Sequence, residues 1–115
     1  MANTFKLITK AGVTTADVIY TVAGSTTTVI LGIMLGNTTT SQVTSTVTIE
    51  SDTSSRSGNN DEANQNVELV TNAPIPAGAS LELLAGNKVI METTDVLKLT
   101  SSGATDIALS IMEIT

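Results

Sequence analysis

The chain has neither cysteine nor histidine. Disulfides are therefore excluded, and the fold must hold without a covalent staple in any redox compartment. Thiolate and imidazole metal sites are excluded with them, as are the Cys–His and Ser–His–Asp forms of nucleophilic catalysis. Aromatic residues make up only 2% of the chain, as Phe5 and Tyr20, with no tryptophan. Little ring surface is left for stacking on sugars or bases. Charge is sparse at 14% and acidic in balance, with eleven Asp and Glu against five Lys and Arg and a net charge of -6. Lys6, Lys10, Arg56, Lys88 and Lys98 form no run, so a nucleic-acid partner is not expected. The longest apolar run, VILGIML from Val29, is far short of the roughly 20 residues of a membrane span, and no membrane association is expected. The opening MANTFKLITKAG has two lysines but no apolar block after them, and is read as lacking a signal peptide.

What the chain does have is a 41% hydrophobic content, supplied by Val, Ile, Leu, Met and Ala, together with abundant threonine. Branched aliphatics fill a thin layer between sheets, and threonine suits the wet face of a strand. At 115 residues the expectation is one domain, residues 1–115. QVTSTVTIES, residues 42–51, gives the clearest alternation: Val43, Val47 and Ile49 on one face, Thr44, Thr46, Thr48 and Glu50 on the other. FKLITK at residues 5–10, DVIYTV at 17–22, NVELVTNA at 66–73 and DIALSIMEIT at 106–115 read as further strands. TTTVILGIMLG, residues 26–36, predicts a strand buried on both faces, with Gly32 as a bulge or a point of close approach. In residues 72–102, the pieces LELL, KVIM and VLKLT alternate with turns. IPAG around Pro76 and Gly78 predicts a β-turn, Ala85-Gly86-Asn87 a tight hairpin between LELL and KVIM, and Thr93-Thr94-Asp95 a further corner. The fold class expected is all-β: an antiparallel β-sandwich, jelly-roll-like, of eight to nine short strands.

Candidate chemistry is thin. The polar stretch DTSSRSGNNDEANQ, residues 52–65, is read as a long exposed loop. Its Asp52, Asn59, Asn60, Asp61 and Glu62 are hard oxygen donors of the kind calcium takes, but the spacing matches no EF-hand, and a solvated loop is the simpler reading. Glu50, Glu68, Glu82, Glu92 and Asp95 lie on or beside strands, and two carboxylates facing across a cleft are what glycoside hydrolysis requires. Solvated strand-face charge is the better reading, and no enzyme and no cofactor are expected. Ala85-Gly86-Asn87-Lys88 lacks the spacing and the following helix of a phosphate loop. Low charge and many β-branched residues make faces that lie against another protein at small desolvation cost. Uncovered strand edges favour a homo-oligomer, for example a trimer. Met112 and Ile114 fall off the apolar face of the last strand, which predicts a bulge or a tail packed on another subunit.

Several elements, in this order and spacing, resemble small virion structural proteins of tailed bacteriophages, frequent in marine phages and cyanophages. They are APIPAGASL at residues 73–81, GNKVI at 86–90, DVLKL at 95–99 and IMEIT at 111–115. The likeness spans nearly the whole chain except residues 52–65. It implies a β-sandwich particle component without enzymatic activity, located in the virion and assembled in the bacterial cytoplasm. Other virion proteins, the major capsid protein first, are the implied partners. Capsid decoration (cement) is the role favoured. Neck, tail or fibre attachment and a host-glycan-binding module are the alternatives. An N-terminal arm of Met1, Ala2, Asn3 and Thr4 is expected at subunit junctions, with Arg56 of the polar loop against a neighbour.

Overall fold

The computed structural model describes residues 2–52 and 65–115. Among the described residues, nine strands run β1 (Asn3–Val13), β2 (Asp17–Thr21), β3 (Thr27–Asn37), β4 (Val43–Ser51), β5 (Gln65–Ile75), β6 (Ser80–Leu83), β7 (Val89–Met91), β8 (Val96–Ser101) and β9 (Thr105–Ile114). They form two antiparallel sheets. Sheet A has the order β1-β9-β3-β6, with β7 also on β3, and sheet B has the order β2-β8-β4-β5. This is a jelly roll in which one edge strand is broken in two.

The core between the sheets is aliphatic. Ile30, Ile33, Leu35, Val47, Leu97, Leu99 and Leu109 are wholly buried, and Tyr20 is the only aromatic ring among the buried side chains. Alternation places Val43, Ser45 and Val47 of β4 inward and leaves Thr44, Thr46 and Thr48 outward, as the threonine period predicts.

Strand β3 follows a different rule from the one expected. It is not buried on both faces: Thr28, Ile30, Ile33 and Leu35 point inward, while Met34 is exposed. The register against β9 shifts between Ile30 and Gly32. Leu31 is thus the extra residue of a bulge, and the bulge resets which side chains face the core. Gly32 belongs to this bulge and not to a close approach, because a Cβ built there would meet nothing within 4 Å.

The predicted hairpin between LELL and KVIM is absent. Both β6 and β7 pair antiparallel with β3, β6 along Ile33–Gly36 and β7 along Thr28–Ile30. They run in the same direction as two halves of one edge strand. Leu84, Ala85 and Gly86 do take positive φ, but they let the chain bow outward opposite the β3 bulge without reversing it. The corners on either side carry the chain between sheets. Ala79 N–H donates to Pro76 O at 3.0 Å with Gly78 at φ 70, so Pro76 opens this turn one position earlier than a φ-setting proline does. Asp95 N–H donates to Glu92 O at 3.0 Å with Thr94 at φ 72.

Neither the N-terminal arm nor the C-terminal tail is separate from the sandwich. Ala2 and Thr115 exchange backbone hydrogen bonds of 3.2 and 2.9 Å, and Asn3 and Thr4 pair with Ile114 and Glu113. The β1–β9 register is unbroken from Ile114 to Ile107. Met112 and Ile114 therefore sit on the outer side of a central strand, by plain alternation and with no bulge. Met1 and Arg56 lie outside the described residues.

Candidate docking face

The two sheets present opposite chemistry to the outside. On sheet B, the register places Thr44, Thr46, Thr48 and Glu50 of β4 beside Lys98 and Thr100 of β8. Lys98 Nζ lies 2.8 Å from Glu50 Oε2. This face is predominantly wet, although Val18 of β2, 50% exposed, and Val96 of β8 also lie on it. On sheet A, Phe5 lies beside Met112, Met112 beside Val29, and Val29 beside Ile90; Thr9 lies beside Ala108, and Ala108 beside Met34. Phe5 is 71% exposed, Leu7 65%, Ile90 64% and Met34 48%. Gly32, Gly36, Ala108 and Ser110 floor the middle of this face. Near the Gly36 end they open into a concavity of about 320 Å³ between Thr9, Met34, Ser80, Asp106 and Ala108. In the register, Glu82 and Asp106 are the charged residues of this face, on the same end as Gly36.

Burying one of the two aromatic residues would be the cheaper use of it by solvent transfer alone. Phe5 faces outward because Ile8 and Val13, not Phe5 or Leu7, are the β1 residues packed in or against the core. Lys6 and Lys10 share Ile8's side, where they meet carboxylates: Lys6 Nζ is 2.7 Å from Glu113 Oε1 and Lys10 Nζ is 3.7 Å from Asp17 Oδ2.

That inner side carries the principal polar lock between the sheets. Tyr20 Oη of sheet B donates to Glu113 Oε2 at 2.5 Å on sheet A and accepts from Thr28 Oγ1 at 2.7 Å. Burial, with the adjoining Glu113 carboxylate, pushes the Tyr20 phenol up to about 12. Lys6, with the Tyr20 hydroxyl, holds the Glu113 carboxyl below its ordinary value. The arrangement is closed on itself and oriented for holding the layers together.

Asp95 is buried, accepting from Asp52 N–H at 2.9 Å and Glu92 N–H at 3.0 Å. Asn37 is buried too: its amide donates to Ser41 O, Ile75 O and Pro76 O at 2.7, 2.9 and 3.1 Å. Its Oδ1 accepts from Thr39 N–H at 2.8 Å. Glu50 and Glu68 are on the outer side of sheet B and Glu82 on that of sheet A, so the thickness of the sandwich separates Glu82 from the other two. Of the calcium candidates, Asp52 ends β4's side of the loop, and Asn59, Asn60, Asp61 and Glu62 lie outside the described residues. Among the described residues, no three acidic side chains come together in a metal-holding group.

No family model and no curated protein sequence matches the chain. Among solved structures, it is similar to a chain of Bacillus endospore appendages, described as a novel family of disulfide-linked pili. The match has 16% identity and a TM-score of 0.49, covering 99% of this chain and 87% of that one.

Proposed function

We propose that the protein is a non-enzymatic structural subunit of a tailed-bacteriophage virion, seated in many copies on the capsid shell as a decoration protein. Assembly takes place in the bacterial cytoplasm, and the major capsid protein is the principal partner. The observation that carries this reading is the contrast between the two outer faces: threonine and paired charge on sheet B, aliphatic side chains and Phe5 on sheet A. Sheet A is four strands wide along its main path. With strands about 4.8 Å apart and about 36 Å long, its outer face offers about 700 Å², close to the ~800 Å² per partner of a stable protein interface. Exposed apolar side chains clustered on such a face are the mark of an interaction surface. The sequence resemblance to phage virion proteins names the partner class.

The test is co-sedimentation of the purified chain with undecorated capsids. Saturable binding that is lost in a Met34→Asp/Ile90→Asp double variant, and kept in Thr46→Asp on sheet B, is the expected result. Binding unaffected by the sheet A changes overturns the assignment of the face. Retention on host cells or polysaccharide, with none on capsids, overturns decoration in favour of receptor binding.

A further inference from the structure

We infer that the free edge of β1 is a strand-pairing site for β1 of a second copy, joined antiparallel across a two-fold axis near Lys6. This goes beyond the attachment of sheet A to a shell, and neither depends on the other.

The four sheet edges are not alike. The β2 edge is a five-residue strand with a register shift between Val18 and Tyr20. The β5 edge carries two register shifts, Asn72 at φ 48 and Pro74 within the strand. The β6–β7 edge is broken by the bow at Leu84, Ala85 and Gly86. Each of these features blunts an edge against further pairing. Strand β1 has none of them between Asn3 and Lys10, where every residue pairs in register with β9. Among the described residues, no strand pairs with its other side.

Parity identifies the open groups. Ala2 and Thr115 exchange both backbone hydrogen bonds, so Thr4, Lys6, Ile8 and Lys10 continue the hydrogen-bonded positions against β9. Asn3, Phe5, Leu7 and Thr9 aim their N–H and C=O groups away from the sheet. A two-fold axis at Lys6 sets Asn3 opposite Thr9 of the second copy and Phe5 opposite Leu7, which satisfies all of these groups at once. It also makes two aromatic–aliphatic cross-strand pairs on the outer face. Strand β1 contains no carboxylate, and its Lys6 is neutralised by Glu113 at 2.7 Å. Two chains of net charge -6 can thus meet along this edge without opposing their acidic surfaces. The paired edges join two sheets A into one continuous sheet and double the width of the apolar face. Such a contact closes at two copies, where covering edges in general allowed a trimer.

The chain's lack of cysteine makes the test direct. In Lys6→Cys the new thiol is the sole one, and at the axis it sits in a non-hydrogen-bonded pair, where Cβ atoms approach to about 4.5–5.5 Å. Air oxidation is expected to give a disulfide-linked dimer, whereas Thr46→Cys on sheet B forms no covalent dimer. Leu7→Pro removes an outward N–H without touching the β9 ladder, and is expected to reduce the light-scattering mass from two chains to one. Met34→Asp/Ile90→Asp is expected to leave it at two. As a check independent of any variant, the amides of Asn3, Phe5, Leu7 and Thr9 should exchange slowly in concentrated wild-type protein and rapidly on dilution. A wild-type mass of one or three chains at tens of micromolar overturns the inference, as does a dimer that Leu7→Pro leaves intact. A monomer that still coats capsids would sink the edge contact and leave the decoration reading standing.

Discussion

Replacing Tyr20 by Phe removes one oxygen from the lock between the sheets and leaves its ring in the core. Two groups are affected. Glu113 loses a 2.5 Å donor but keeps Lys6 at 2.7 Å. Thr28, which is fully buried, loses the acceptor of its hydroxyl. A hydrogen bond to a charged group contributes about 1.5–3 kcal/mol, and an unsatisfied buried hydroxyl costs about 1–3 kcal/mol. Because Glu113 retains one partner and Thr28 can reorient, the expected loss is about 2–3 kcal/mol. For a domain of this size that is a fall in Tm of about 8–12 °C. The alkaline limb gives a second readout. With the phenol at about 12 in the fold and 10.0 as its ordinary value, the stabilisation is complete below pH 10 and disappears as pH rises toward 12. Tyr20 is the only tyrosine and there is no tryptophan, so absorbance near 295 nm follows this one group. Wild type should titrate near 12 folded and near 10 in denaturant, and Tyr20→Phe should lack the corresponding loss of stability. A Tm within about 2 °C of wild type, or a folded phenol titrating at 10, would refute the lock.

Further consequences concern the same framework. Glu113 is held below its ordinary value chiefly by Lys6, so its stabilisation is present above that value and is lost as pH falls through the lowered one. Lys6→Met should narrow the difference in Tm between pH 7 and pH 4, measured by circular dichroism. At Gly103 a Cβ would stand 2.8 Å from Val43 Cγ1, and Val43 is buried. Gly103→Ala is expected to cost about 1–3 kcal/mol in urea unfolding, whereas Gly24→Ala, which meets nothing within 4 Å, should cost much less. Asn37→Ala strips the donors from Ile75 O and Pro76 O and is expected to cost about 2–4 kcal/mol by the same assay.

The residues that revealed the fold are those whose chemistry has a period. Val43 and Val47 alternate with threonines on a sheet with one wet face, and the segment announces itself. Strand β3 hid its alternation because the bulge at Leu31 brings Ile30 and Ile33 to one side, so a run that looked uniformly apolar contains a change of phase. Ala85 and Gly86 take the positive φ their chemistry signals, with Leu84 rather than Asn87 as the third such residue, but dihedral preference at a bend does not say whether the chain reverses or continues along the same neighbour. The apolar outer face of sheet A was harder to see. Phe5 and Leu7 share a face of β1 in the sequence, and apolar pattern alone assigns such a face to a core. Only the pairing with β9 shows that Ile8 points inward. Nothing in the local sequence marks Asn37 and Asp95 as buried, since their backbone partners, Ile75 and Pro76 for one and Asp52 and Glu92 for the other, depend on how the corners meet.

The central claim is that sheet A's outer face is the surface the protein uses to join a larger assembly. A subnanometre reconstruction of particles carrying this chain tests it most directly, because the two sheets differ in width, edge and connection and can be told apart in density. The account predicts that Phe5, Met34, Ile90 and Met112 lie against the shell while the threonine rows of sheet B face solvent. Density showing sheet B against the shell, with Phe5 and Ile90 open to water, would contradict it.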